Sequence, residues 1–142
     1  MISNDSWLYV AAPIVGWVAA QSIKFALTLR KDGFSWGDTV QSGGMPSSHT
    51  AFMVSLATII GIGEGFFSAI FALAAGITSI VIYDALGVRR TTGEQTDAIN
   101  KLAKKAKISV DLPNNARGHT PIEVMGGMIV GLLIGTVLSL YL

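Results

Sequence analysis

The sequence predicts an all-α integral membrane bundle, with about four membrane-embedded helices plus an interfacial amphipathic helix. Three observations carry this expectation. Of 142 residues, 51% are hydrophobic and only 13% charged, and the mean hydropathy is +0.55, far more apolar than an ordinary soluble domain. Four segments approach the roughly 20 residues that a helix needs to cross a bilayer. Finally, all ten Lys and Arg lie in two stretches, 24–31 and 89–117. No repeat, low-complexity tract or linker divides the chain, so residues 1–142 read as a single membrane-embedded domain.

The first segment, about 7–29, has no basic residue ahead of it and carries Lys24 within it, so it reads as a mature helix rather than a signal peptide. The second, 47–63, is short and begins with polar residues. It is expected to enter only partway, or to tilt with its polar end in a water-filled pocket. The third spans 66–83 and the fourth 121–142. Gly126, Gly127, Gly131 and Gly135 in the fourth favour close helix packing whatever the function. With four spans both basic stretches fall on one face, which the positive-inside rule makes cytoplasmic.

The long loop 84–120 has structure of its own. In "TTGEQTDAINKLAKKA" Thr92 precedes Gln95 by three residues, a capping-box spacing, and Ala98, Ile99, Leu102, Ala103 and Ala106 form an apolar stripe opposite lysines. An amphipathic helix at the interface is expected, either covering the bundle end or attracted to lipid headgroups. "ISVDLPNNARG" reads as a loop.

Chemistry concentrates in three motifs. In "SGGMPSSHTA" Gly43 and Gly44 relax the backbone, Pro46 suits the start of a helix, and Ser47 or Ser48 can cap it. A helix N-terminus of this kind favours anions, phosphate above all, and His49 adds a group that exchanges a proton near pH 7. An ordinary capped turn explains the same residues. In "ARGHTPIEVMGG" Thr120, Pro121 and Glu123 fit the N-cap, N1 and N3 positions of a capping box, whereas His119 has no such structural explanation. In "YDALGVRRTTGEQ" Asp84 lies at the hydrocarbon edge, as a functional group or as the partner of an arginine. Arg89 and Arg90 suit a phosphate clamp or a stop-transfer signal. Lys24 and Lys31 share a helical face, and either snorkelling or a basic wall accounts for Lys24. Two histidines, several basic residues and no cysteine suit phosphoryl transfer, in which one imidazole attacks and the other protonates the leaving oxygen. The missing cysteines exclude disulfides, thiolate zinc sites and thiol catalysis.

"GGMPSSHTA", "YDALGVRR" and "GHTPIEV", in this order between apolar helices, resemble the divergent branch of the type 2 phosphatidic acid phosphatase family, which is related to vanadium-dependent haloperoxidases and bacterial acid phosphatases. The resemblance implies hydrolysis of a phosphate ester through a phosphohistidine, with no cofactor and no obligatory metal. Carried over residue by residue, it makes His119 the nucleophile, Glu123 its orienting carboxylate, His49 the general acid and Ser47 a phosphate ligand. Ser48 stands where the family's signature has glycine, and Glu123 where it has aspartate. Pro113 occupies the place of an arginine, so Arg117, Arg89 or Arg90 must supply that charge. Lys24 matches the first signature, while Lys31 and Asp32 replace its arginine and proline.

The expected function is therefore a lipid phosphate phosphatase, multi-pass in the cell membrane with its site facing the cytoplasm. It would hydrolyse a phosphomonoester or diphosphate of a phospholipid or polyprenyl phosphate. Lys24, Ser47, Ser48, Arg89 and Arg90 would hold the phosphate, with Asp84, Arg117 and Lys31 as further candidates. The alternative is a noncatalytic lipid-phosphate-binding or transport protein. No nucleic-acid partner is expected. The wider family builds its core from six helices, so a homodimer would restore missing walls.

Overall fold

A computed structural model describes residues 6–31, 44–108 and 119–142; the side chains of Arg30, Lys31, Arg89 and Arg90 lie outside the description. The described residues are helical, with no strand among them. Helix α1 covers Trp7–Lys31, α2 Ser48–Glu64, α3 Ala69–Leu86, α4 Val88–Ala106 and α5 Pro121–Ser139. Three helical runs, Trp7–Leu29, Ala69–Ala106 and Pro121–Ser139, are long and apolar enough to cross a membrane. Helix α2 has 17 residues, a length of roughly 25 Å, somewhat less than a hydrocarbon core of about 30 Å.

That short helix is the centre of the bundle. It packs against α1, α3 and α5, while α4 touches α3 alone. Small residues let the backbones approach. Gly127, Gly131 and Gly135 repeat every fourth position, on one face of α5, and all three are buried. A Cβ placed on Gly131 would lie 2.7 Å from Val54 Cβ and 2.8 Å from the Ala51 carbonyl; one on Gly135 would lie 2.6 Å from Thr58 Cβ; and one on Gly127 would meet the Ser47 carbonyl. Gly16 of α1 is pressed in the same way against Ser55. Without a hydrophobic drive between helices in lipid, such close van der Waals contact is the available source of association.

The apolar core of Leu8, Ala12 and Ile59, with Tyr9 and Leu138 against it, lies at one end of the bundle. There the Tyr9 hydroxyl donates to Glu64 Oε1 at 2.8 Å. The outer faces of the long helices expose Ile14, Leu73, Ile80, Ile129 and Leu133, an apolar surface suited to lipid. The opposite end collects the motif residues.

Two helix starts differ from the sequence expectation by more than one residue. Helix α3 begins at Ala69 because Ser68 is its N-cap, accepting from the Phe71 amide at 3.2 Å. The amphipathic helix begins at Val88, directly after the break at Gly87. Thr92 is therefore inside it and donates to the Val88 carbonyl at 2.9 Å, so the expected Thr92–Gln95 capping box is not formed.

Candidate functional site

The start of α5 builds the first part of the site. Thr120 Oγ1 accepts from the Glu123 amide at 3.4 Å, and Glu123 Oε2 accepts from the Thr120 amide at 2.8 Å, closing the capping box that the sequence predicts. His119 precedes the cap, four residues from Glu123, and its Nδ1 lies 3.3 Å from the same Oε2. The two explanations of Glu123, helix cap and imidazole partner, thus hold together on one oxygen. The His119 amide also donates to the Ala85 carbonyl at 3.2 Å, which fastens the imidazole to the end of α3. Its residue is only 6% exposed.

The start of α2 builds the second part. Ser47 is the N-cap; its Oγ accepts from the Thr50 amide at 3.4 Å and from the Thr50 hydroxyl at 3.0 Å. Its own amide donates to the Glu123 carbonyl at 2.9 Å, which locks α2 to α5. Ser47 and Thr50 are both fully buried. Ser47 therefore sits beneath the first turn, whereas Ser48 is half-buried and His49 exposed.

Lys24 arrives from α1. Gly44, with φ +90°, leaves room for it: a Cβ there would lie 3.1 Å from Lys24 Cε and would itself be strained. The Lys24 charge acts on both His119 and Glu123. From α3, Asp84 and Ala85 complete a cavity of about 250 Å³ lined by His49, Ile80, Val81, Asp84, Ala85 and His119. A second, apolar cavity adjoins it.

The electrostatics favour a neutral His119. Burial holds its imidazole below the ordinary value of 6.5, and the charges of Lys24 and His49 push the same way, against the hydrogen bond and charge of Glu123. With the ring proton on Nδ1 facing the carboxylate, the Nε2 lone pair is left for chemistry.

The structure thus brings Lys24, His49, Asp84, His119 and Glu123 to one end of the bundle, with Ser47 and Ser48 in the same first turn of α2 as His49. Arg117 lies outside the described residues, as do the side chains of Lys31, Arg89 and Arg90; the backbone of the latter two forms the first turn of α4. Among the described residues no three His, Cys, Asp or Glu converge as a metal site. Sequence reasoning missed Thr50 and Ala85. Thr50 was findable, as the third residue after a serine cap; Ala85 contributes only a carbonyl, which no side-chain pattern signals.

A family model described as "Divergent PAP2 family" matches residues 4–134, nearly the whole chain. The chain belongs to the divergent PAP2 family. Within it, the chain is similar to the "Uncharacterized membrane protein YuiD" of Bacillus subtilis (strain 168), with 35% identity over 147 aligned residues covering 93% of this chain and 91% of that protein. No solved structure matches. Membership of the divergent PAP2 family agrees with the resemblance carried by the three motifs, and the all-helical architecture agrees with a membrane protein.

Proposed function

We propose that the protein is a lipid phosphate phosphatase that works through a phosphohistidine at the cytoplasmic face of the cell membrane. The observation that carries this reading is the pairing of His119 Nδ1 with Glu123 Oε2 on the wall of a cavity that His49 also lines. One imidazole is held in a single orientation and the second stands across the same space.

In this mechanism His119 Nε2 attacks phosphorus and the bond from phosphorus to the leaving oxygen breaks. His49 gives its proton to that oxygen. Water then attacks the phosphohistidine, His49 takes up the water's proton, and inorganic phosphate leaves with His119 restored. Glu123 holds the ring and opposes the positive charge that grows on it. Lys24, Ser48 and the amides of the first turn of α2 offset the charge of the phosphate oxygens. This compensation is needed because Asp84 lines the same cavity. Arg89 and Arg90, in the first turn of α4, are the nearest further cations in the chain after Asp84.

The test is phosphate release from a panel of lipid phosphates by the purified protein, with His119→Ala as control. Release by the native protein and none by the variant are expected. A native protein that binds lipid phosphate without turnover, with binding that survives His119→Ala, would sink the enzyme reading in favour of a noncatalytic carrier.

A further inference from the structure

We propose that the face of α2 left open between α1 and α3 is the groove for the hydrocarbon chain of the substrate, and that it admits a single chain. This inference rests on the phosphatase reading for the location of the phosphate. Helices α1 and α3 each pack on α2, and their backbones do not approach each other closely. Between them runs a cavity of about 420 Å³ lined by Trp17 of α1, His49, Phe52 and Met53 of α2, and Val81 of α3.

Three features connect this cavity to the site. It shares His49 and Val81 with the cavity that holds His119 and Asp84, so the two lie side by side. His49, Phe52 and Met53 fall at i, i+3 and i+4, which places them on one face of α2. Apart from His49 at its mouth, the lining is wholly apolar. The geometry therefore has the polarity of a lipid phosphate, with the proton donor at one end and hydrocarbon walls beyond it.

The depth is also suitable. Trp17 precedes Lys24 by seven residues on α1, about 10 Å along the helix axis, so the groove descends from the basic end toward the bilayer interior. Among the described residues, two neighbouring seams offer no room for a second chain. The α2–α5 seam is closed by Gly127, Gly131 and Gly135, and the α1–α2 seam by Gly16 against Ser55. A two-chain lipid would have to leave one chain outside the protein. Because that chain is as well solvated by lipid as by the groove, recognition here depends on packing contact rather than on the hydrophobic effect.

The experiment compares dodecyl phosphate, dioctanoyl phosphatidate and the chainless phenyl phosphate, using native protein, Met53→Trp and Val81→Phe. The two variants fill the groove from its floor and from one wall. Each is expected to lower the ratio of kcat/KM for dodecyl phosphate to that for phenyl phosphate at least tenfold, and native protein should prefer dodecyl phosphate to the phosphatidate. A second arm is independent of turnover: an alkyl phosphonate with a mid-chain diazirine should crosslink at Trp17, Phe52, Met53 or Val81. Crosslinking there without turnover of any ester would leave the groove standing and remove the phosphatase reading. Turnover with unchanged ratios and crosslinks elsewhere would overturn the groove and leave that reading intact. Equal or better use of the phosphatidate would refute the single chain. Disulfide trapping of Phe52→Cys between two copies would assign the face to a homodimer and overturn the proposal.

Discussion

Replacing Glu123 by Gln separates the two duties that one oxygen performs. Glutamine keeps a carbonyl that can accept from the Thr120 amide, now bonded to Glu123 Oε2 at 2.8 Å. The loss of helix capping should therefore stay below about 1 kcal/mol, and the protein should fold. What disappears is the negative charge 3.3 Å from His119 Nδ1. A hydrogen bond to a charged group is worth about 1.5–3 kcal/mol, and the Glu123 side chain is 19% exposed, which favours the lower part of that range. If the bond strengthens as positive charge develops on the ring during attack, turnover should fall by roughly 10- to 100-fold. Phosphate release by purified protein reads the rate, and a melting curve in detergent reads the fold. Thr120→Ala is the control, because it removes the cap hydroxyl and leaves the carboxylate in place. Equal loss of rate in Thr120→Ala and Glu123→Gln would show that the carboxylate serves only the helix start, and the reasoning would be refuted.

The glycine seam should be sensitive where it is crowded and indifferent where it is open. Gly131→Ala, with its Cβ 2.7 Å from Val54 Cβ, is expected to destabilise by about 1–3 kcal/mol, while Gly76→Ala, which meets nothing within 4 Å, should be neutral or stabilising in a detergent unfolding assay. Because His119 is held below 6.5 in the folded protein, the unfolded chain takes up that proton first; the stability involved is complete above pH 6.5 and is lost as pH falls toward the folded value. The acid limb of the rate profile should accordingly lie below pH 6.5, and Lys24→Met, which removes a repelling charge, should move it upward; a limb that moves down or not at all contradicts the placement of Lys24. For orientation, a thiol reagent outside intact cells should reach Glu64→Cys and not Thr96→Cys, and the reverse pattern inverts the topology.

Helix existence was legible wherever the code is compositional. Apolar runs and confined basic residues are enough to expect a bundle with one polar end, and Thr120, Pro121 and Glu123 spell a capping box by residue type alone. Less was legible where one residue type serves two physical ends. The spacing Thr92–Gln95 satisfies the same capping rule, yet the cap of α4 is Gly87, five residues before Thr92, because the chain breaks there. A local signal cannot report that the preceding helix has already ended. The anchoring of His119 by the Ala85 carbonyl joins residues 34 positions apart in sequence through a backbone atom, so it exists only once the helices have packed.

Ser47 and Ser48 show the same ambiguity at the candidate site itself, and they permit a sharper test. As consecutive hydroxyls before His49 they are equivalent candidates for phosphate binding or for capping, since both tasks ask for a small oxygen at a helix start. Packing divides them. Ser47 is fully buried, and its Oγ accepts from both the amide and the hydroxyl of Thr50, while its backbone ties α2 to α5. Removing its hydroxyl costs the cap, about 1 kcal/mol, and leaves the buried Thr50 hydroxyl short of a partner, about 1 kcal/mol or more. Ser48 is half-buried beside His49 and has neither duty. Ser47→Ala should therefore lower the melting temperature with little change in vanadate affinity among molecules that remain folded, and Ser48→Ala should weaken vanadate binding with an unchanged melt. A Ser47→Ala protein that melts normally and loses vanadate would place the buried hydroxyl on the anion, and the first turn of α2 would have to open to bind it.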